Sequence, residues 1–248
     1  MTRRRFFAPT EAFDFTQKTV VLGSDEARHL KDVLRLRVGD ECFVFDGASN
    51  EFRCSVEVQS REITQLTILE KVDPQSSESP LSITLAVALL KGEKFDLVVQ
   101  KATELGVTRI VPVSTRYADI QLRDKNDAVK RVTRWQRIAL EAAKQSGRAV
   151  VPVVAEPEEL GALIKVSDPS FRLMFSEKSG KHLSEISTMT NSSALVLVGP
   201  EGGWADEEIA LAQESNWQVV TLAGRTLRAE TAAIVAVTLV QHKFGDLE

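Results

Sequence analysis

Metal-binding and disulfide chemistry have almost nothing to work with in this sequence. Its only two cysteines, Cys42 and Cys54, sit in alternating, strand-like stretches (ECFVFDG and EFRCSVEV) with no CxxC spacing. Its three histidines, His29, His182 and His242, are far apart. No zinc motif can be drawn from these residues, a disulfide has little support, and no metal is expected. Long apolar runs are missing as well: none approaches the roughly 18–20 residues of a membrane span. The basic start, MTRRRFFAPT, is followed by no apolar segment of the kind that marks a secretory signal, so the expected location is the cytoplasm. There is no GxxxxGK[ST], no GxGxxG after a strand, no GxSxG and no kinase motif set. That sets aside P-loop NTPases, dinucleotide Rossmann enzymes, α/β-hydrolases and kinases.

What remains is an ordinary globular composition: 248 residues, 43% hydrophobic and 27% charged, enough for one large domain or two. The net charge of −4 argues weakly against nucleic acid, but its distribution is uneven. Arg3, Arg4 and Arg5 are consecutive, beside Phe6 and Phe7; Arg28, Lys31, Arg35 and Arg37 form a second basic cluster. Residues 130–148 carry Lys130, Arg131, Arg134, Arg137, Lys144 and Arg148 against the single acid Glu141. Three such segments read either as one positive face or as separate solvated surfaces.

Up to residue 72 the chain reads as β-rich, with period-2 alternation in EFRCSVEVQS and ITQLTILEKV and a turn at Asp46-Gly47. The one helical candidate there is 24–34, with Ser24 as N-cap and Asp25 and Glu26 in its first turn. Residues 73–80, DPQSSESP, hold no apolar side chain and read as a linker. From residue 81 strands and helices alternate, which predicts an α/β domain with a largely parallel sheet. LSITLAVALL suits a strand covered on both faces. Helices are predicted over 93–105, 128–146, 206–215 (Asp206 as N-cap) and 229–243, and strands at RIVPV, VVPVV, FRLMF, ALVLV and QVVTLA. The expected domains are therefore 1–72, a small β-barrel, and 81–248.

Ligands of open α/β sheets bind beyond the carboxyl ends of strands. Three strand ends here run into glycine-rich or polar exits: Phe175-Ser176-Glu177 with Gly180, Val198-Gly199-Pro200-Glu201-Gly202-Gly203, and Leu222-Ala223-Gly224 leading to Leu227-Arg228. If those strands are neighbours, the loops converge on one pocket suited to a flat, adenosine-like ring held by backbone groups, without a phosphate cradle. Ordinary strand-to-helix turns are the alternative.

Four motifs in order make a more specific statement. LLKGEKFDLVVQKATELGV at 89–107, RWQRIALEAAKQSGR at 134–148, LVGPEGGW at 197–204 and LRAETAA at 227–233 resemble the 16S rRNA (uracil-N3) methyltransferase family of the SPOUT, or α/β-knot, class. RRFF and HLKDVLRLRVGD at 29–40 are similar to its RNA-binding domain, so the resemblance spans nearly the whole chain. It implies a PUA-like or OB-like β-barrel followed by a trefoil-knotted α/β domain that works as a homodimer. It also implies S-adenosylmethionine as cofactor and 16S rRNA of the 30S subunit as substrate. Carried over, the cofactor-binding residues are Phe175, Ser176, Glu177, Val198, Gly199, Pro200, Glu201, Gly202, Gly203, Leu222, Gly224, Leu227 and Arg228. Arg228 is the candidate to stabilise charge on the uracil, with Glu230 or Glu201 to orient the base or take its proton. Arg3, Arg4, Arg5, His29, Arg35, Lys91 and Lys94 are the candidate RNA contacts. The rivals are a ribose 2′-O-methyltransferase of the same fold class and a non-catalytic ribosome-assembly factor.

Overall fold

The computed structural model describes residues 3–60, 63–120, 124–165, 171–178, 180–186, 192–222 and 224–247. It divides into two compact units, Met1–Glu78 with Ala143–Val151, and Ser79–Ala142 with Pro152–Glu248.

The first unit is a six-stranded mixed sheet built from β1 (Arg5–Phe7), β2 (Phe13–Asp14), β3 (Thr19–Val21), β4 (Glu41–Phe45), β5 (Glu51–Gln59) and β6 (Thr64–Val72), in the order β1-β4-β5-β6-β3-β2. The alternation read in the sequence is the packing pattern. Cys42, Val44, Phe52, Cys54, Val56, Leu66 and Ile68 point into one core with Phe6, Val20, Leu30 and Leu36. Cys42 and Cys54 are direct cross-strand partners and both are free thiols. Burial pushes each of them up to about 12, well away from the reactive thiolate. The helix α1 (Ser24–Arg28) is capped differently from expectation. Gly23 occupies the N-cap position and Ser24 is already helical, and His29–Val33 continue as a wider π-helical turn.

A buried ionic network closes this unit. Arg5 Nε and Nη2 lie 3.2 and 3.0 Å from Glu51 Oε2, and its remaining donors reach the carbonyls of Ala143, Lys144 and Arg148 at 2.9–3.3 Å. Arg3 bonds the other Glu51 oxygen at 3.0 Å. The arginine thereby satisfies orphan carbonyls at the end of α3 (Lys125–Ser146), whose last turn and the segment to Val151 belong to this unit.

The second unit is an eight-stranded sheet in which every pair is parallel: β7 (Ser82–Ala88), β8 (Val107–Ser114), β9 (Val153–Val154), β10 (Glu158–Glu159), β11 (Phe171–Phe175), β12 (Lys181–His182), β13 (Ser193–Val198) and β14 (Gln218–Thr221). The order is β10-β8-β7-β13-β11-β14-β12, with β9 paired to β8. Residues 85–88 of β7 are buried on both faces, as a central parallel strand requires. Helices α2 (Lys94–Glu104), α4 (Leu160–Lys165), α5 (Asp206–Glu214) and α6 (Ala229–Phe244) complete the unit with most of α3. Phe95, Val98, Val99 and Ala102 form the buried stripe of α2, and Gly106 follows it at φ +86°, the left-handed stop its sequence announced. At α5 the N-cap is Ala205 rather than Asp206, and Glu208 reaches back to the Ala205 N–H at 2.9 Å. Among the described residues no helix is long and apolar enough to cross a membrane.

Candidate functional site

The strand order sets the site. β13, β11 and β14 are adjacent and parallel, so their carboxyl ends release three loops side by side. These loops line one cavity of about 460 Å³, within the usual range for small-molecule sites. Every cofactor-loop residue expected from the sequence lines it, from Phe175 through Val198–Gly203 to Leu227 and Arg228, and Lys94, Arg225, Thr226, Ala229 and Ala232 join them. Gly180 does not line it.

The loops are fixed to one another by bonds that leave little freedom. Trp204, fully buried, donates its indole N–H to the Phe175 carbonyl at 2.7 Å, tying the glycine loop to the end of β11. The Ser176 N–H donates to the Val220 carbonyl at 2.8 Å, tying that same end to β14. Gly203 turns back onto the Pro200 carbonyl at 3.0 Å with φ +72°. A Cβ at Gly199 would lie 2.8 Å from Trp204, and one at Gly202 would lie 2.9 Å from the Tyr117 Cβ. A Cβ at Gly203, already at positive φ, would run into the Glu177 carboxylate, so all three glycines are demanded by the packing around the loop, a reason the sequence did not disclose.

Lys94, Glu201 and Arg228 are among the charged residues that line the cavity. Lys94, at the start of α2, donates to Glu201 Oε1 at 2.9 Å, with Glu230 Oε2 4.0 Å away. Burial works to raise the Glu201 carboxyl, but the Lys94 hydrogen bond and charge, with backbone N–H groups of residues 201 and 91, hold it below the usual carboxylate range. The same bond to Glu201 raises Lys94, against burial and the opposing charge of Arg228. Glu230 is buried in the first turn of α6, where the helix dipole favours a carboxylate, and its Oε2 has no hydrogen-bond partner among the described residues. Arg228 is the N-cap residue of α6. Its carbonyl receives the Ala232 N–H at 2.8 Å, while its guanidinium is exposed and has no ion-pair partner among the described residues.

The expected RNA contacts separate into kinds. Arg4 and Arg35 are exposed, Arg35 with φ 55°, and His29 is half-buried edge-on to Phe6 at 5.7 Å. Lys91 forms an exposed pair with Asp119 at 2.9 Å. Arg5 requires correction. Its side chain is only 4% exposed and every donor group is committed within the protein, so it serves the fold and offers nothing to RNA. Arg3 is largely committed as well, to Glu51 and the Asp73 carbonyl. Lys94 belongs to the pocket rather than to an outlying basic surface.

A parallel sheet whose adjacent strand ends enclose a pocket, preceded by a small mixed-sheet unit, is the architecture expected of a SPOUT-type α/β RNA methyltransferase with a PUA-like domain, and the comparisons assign the chain to that class. A family model described as an RNA methyltransferase domain matches residues 77–241, and one described as an RNA methyltransferase PUA domain matches 22–69. The chain is 36% identical over 97% of its length to "Ribosomal RNA small subunit methyltransferase E" of Synechocystis sp., covering 77% of that protein. It is 32% identical to the protein of that name from Rickettsia conorii, over 90% of this chain and 89% of that one. The crystal structure of a ribosomal RNA small subunit methyltransferase E from Neisseria gonorrhoeae, bound to S-adenosyl methionine, superposes with a TM-score of 0.89 at 33% identity, covering all of both chains. This chain belongs to the ribosomal RNA small subunit methyltransferase E family.

Proposed function

We propose that the chain methylates N3 of a uridine in 16S rRNA of the small ribosomal subunit, with S-adenosylmethionine as methyl donor. The observation that carries the reading is the convergence of three loops from adjacent parallel strands on one cavity, with an arginine at its edge that has no ion-pair partner among the described residues. The cavity fits the donor in size, and its wall of glycine backbone and apolar side chains suits an adenosine moiety. The residues that hold it are those of Phe175–Glu177, Val198–Gly203 and Leu222–Arg228. When bound, the donor supplies an already electrophilic methyl group, so the protein's tasks are orientation and management of the uracil's charge. N3 lies on the Watson–Crick edge, so the target base is taken unpaired or flipped out. Arg228 stabilises the negative charge that appears on a uracil carbonyl as the N3 proton leaves. Glu230 and Glu201, both close to Lys94, orient the base or take that proton.

The residues 1–72 domain contributes RNA contacts through Arg4, His29 and Arg35, and Lys91 contributes from the methyltransferase domain 81–248. The protein acts as a homodimer with a knotted cofactor loop, in the cytoplasm with its ribosomal substrate. Helix α6 supports the dimer: its half-buried Ile234, Val235 and Leu239 leave apolar surface beside its buried face.

The test is methyl transfer from labelled donor to 30S subunits and to naked 16S rRNA, with the product nucleoside identified by mass spectrometry. N3-methyluridine is expected. A ribose-methylated product points to the 2′-O reading, and no donor binding in calorimetry points to a non-catalytic assembly factor. Arg228→Ala should lose most turnover while keeping much of its donor affinity; full turnover in that variant removes Arg228 from the mechanism.

A further inference from the structure

The ion pair at the pocket edge has a feature that simple surface salt bridges lack. Lys94 lines the cavity and faces two carboxylates on different elements, Glu201 of the glycine loop, which also lines it, and Glu230 of α6. Only Glu201 is within hydrogen-bond distance, at 2.9 Å; Glu230 Oε2, at 4.0 Å, contributes charge without capturing a proton. An ammonium carries three donors, so this geometry leaves N–H groups of Lys94 available to a ligand. Arg228 lines the same cavity and is near enough for its charge to oppose that of Lys94. Lys94 and Arg228 thus share one small site with Arg225, and the two carboxylates offset the cost of bringing these cations together.

Resting on the functional reading above, the geometry points to Lys94 as a second catalytic cation, donating to one uracil carbonyl while Arg228 donates to the other. The chemistry of uracil matches this pairing. When the N3–H bond breaks, the electron pair stays on N3 and the negative charge spreads onto O2 and O4, which flank N3 on either side. A cation at each oxygen lowers the cost of that charge twice. The proton passes to one of the two carboxylates or to water, and while ionised Glu201 and Glu230 keep Lys94 in place and charged. The hydrogen bond from Lys94 to Glu201, which raises the amine above its ordinary range, works in the same direction. The charged groups facing Lys94 are Glu201, Glu230 and Arg228; Arg228 alone opposes its charge.

The test uses the full-length protein and two readouts. In the first, an RNA carrying 5-fluorouridine at the target position is bound without methyl donor, and its 19F shift is followed against pH to report ionisation at N3. Wild type should lower the midpoint relative to Lys94→Met by about one pH unit or more, and Lys94→Arg should restore most of the difference. In the second, single-turnover methyl transfer is measured against pH. Lys94→Met should lose on the order of 10-fold or more near neutrality and recover toward wild type at alkaline pH, where the base ionises unaided. A lysine that only braces the loop gives equal 19F midpoints and a rate loss uniform across pH, and either result overturns the proposal. A wild-type product methylated elsewhere than N3 overturns the functional reading itself and is recognised separately, from the nucleoside.

Discussion

Gly199→Ala tests whether the glycine loop is shaped by its own packing. The added methyl carbon would stand 2.8 Å from Trp204 Cε2, 3.0 Å from Nε1 and 3.2 Å from Cδ2. Real Cβ atoms essentially never approach so closely, so something must move. The indole cannot move cheaply. It is fully buried, its N–H is bonded to the Phe175 carbonyl at 2.7 Å, and it packs in one core cluster with Ala86, Leu197 and Ile209. Overpacking of this kind costs about 1–3 kcal/mol, which for a chain of this size lowers the melting temperature by roughly 2–12 °C. If the loop yields instead of the indole, the displacement falls on the cavity wall and appears as weaker donor binding. The assay is therefore a pair: differential scanning calorimetry, and isothermal titration with S-adenosylmethionine. Gly161→Ala is the control, because Gly161 lies inside α4 and a methyl group added there would meet nothing within 4 Å. It should be neutral or stabilising by up to about 1 kcal/mol, from helix propensity. A Gly199→Ala protein that melts with wild type and binds the donor with wild-type affinity would refute the packing argument.

Arg5→Ala should destabilise the protein by about 3 kcal/mol in urea unfolding, since it leaves the buried Glu51 carboxylate with Arg3 as its one ion-pair partner among the described residues and removes the donors to three backbone carbonyls. Arg4→Ala, at an exposed position, should leave stability unchanged while weakening RNA binding and flattening its salt dependence. The buried thiols predict a pH effect. Both are raised from 9.0 to about 12, so between those values the folded state holds protons that the unfolded state has released. Their contribution is complete below pH 9 and is lost as pH rises toward 12, a decline in melting temperature that Cys42→Ala/Cys54→Ala should reduce. Trp204→Phe should cost about 2–4 kcal/mol through the lost hydrogen bond to Phe175 and the unfilled volume. It should also weaken donor binding, because it unties two walls of the cavity; unchanged affinity in a folded variant would count against that coupling.

What the sequence disclosed about this protein was local. Period-2 alternation identified β5 and β6 because each strand buries one face, and the unbroken apolar run of β7 marked a strand covered on both. The glycine-rich exits at 175–177, 198–203 and 222–228 were visible for the same reason, since a chain leaving a strand must declare its turn residues. What joins them was not local: it depends on β13, β11 and β14 lying side by side, although β14 follows β13 by some twenty residues and β12 intervenes between β11 and β13 in sequence.

The basic residues show the same boundary most sharply. Arg3, Arg4 and Arg5 are indistinguishable as letters, yet Arg5 is buried on Glu51 and the carbonyls of residues 143–148 while Arg4 is exposed. The partners lie 46 and 143 positions away, beyond the reach of any window-based pattern. Lys94 shows the converse. As a candidate RNA contact it carried no sign of where it would sit, and only Glu201, 107 residues further on, ties it to the pocket. A charge count therefore overstates the surface available to RNA and understates the charge held at the site. Because both cases concern basic residues, they have a common remedy. A basic residue in such a chain is assigned to nucleic acid only after the acids that fold against it have been found, and here those acids convert one arginine into scaffold and one lysine into a candidate for the chemistry.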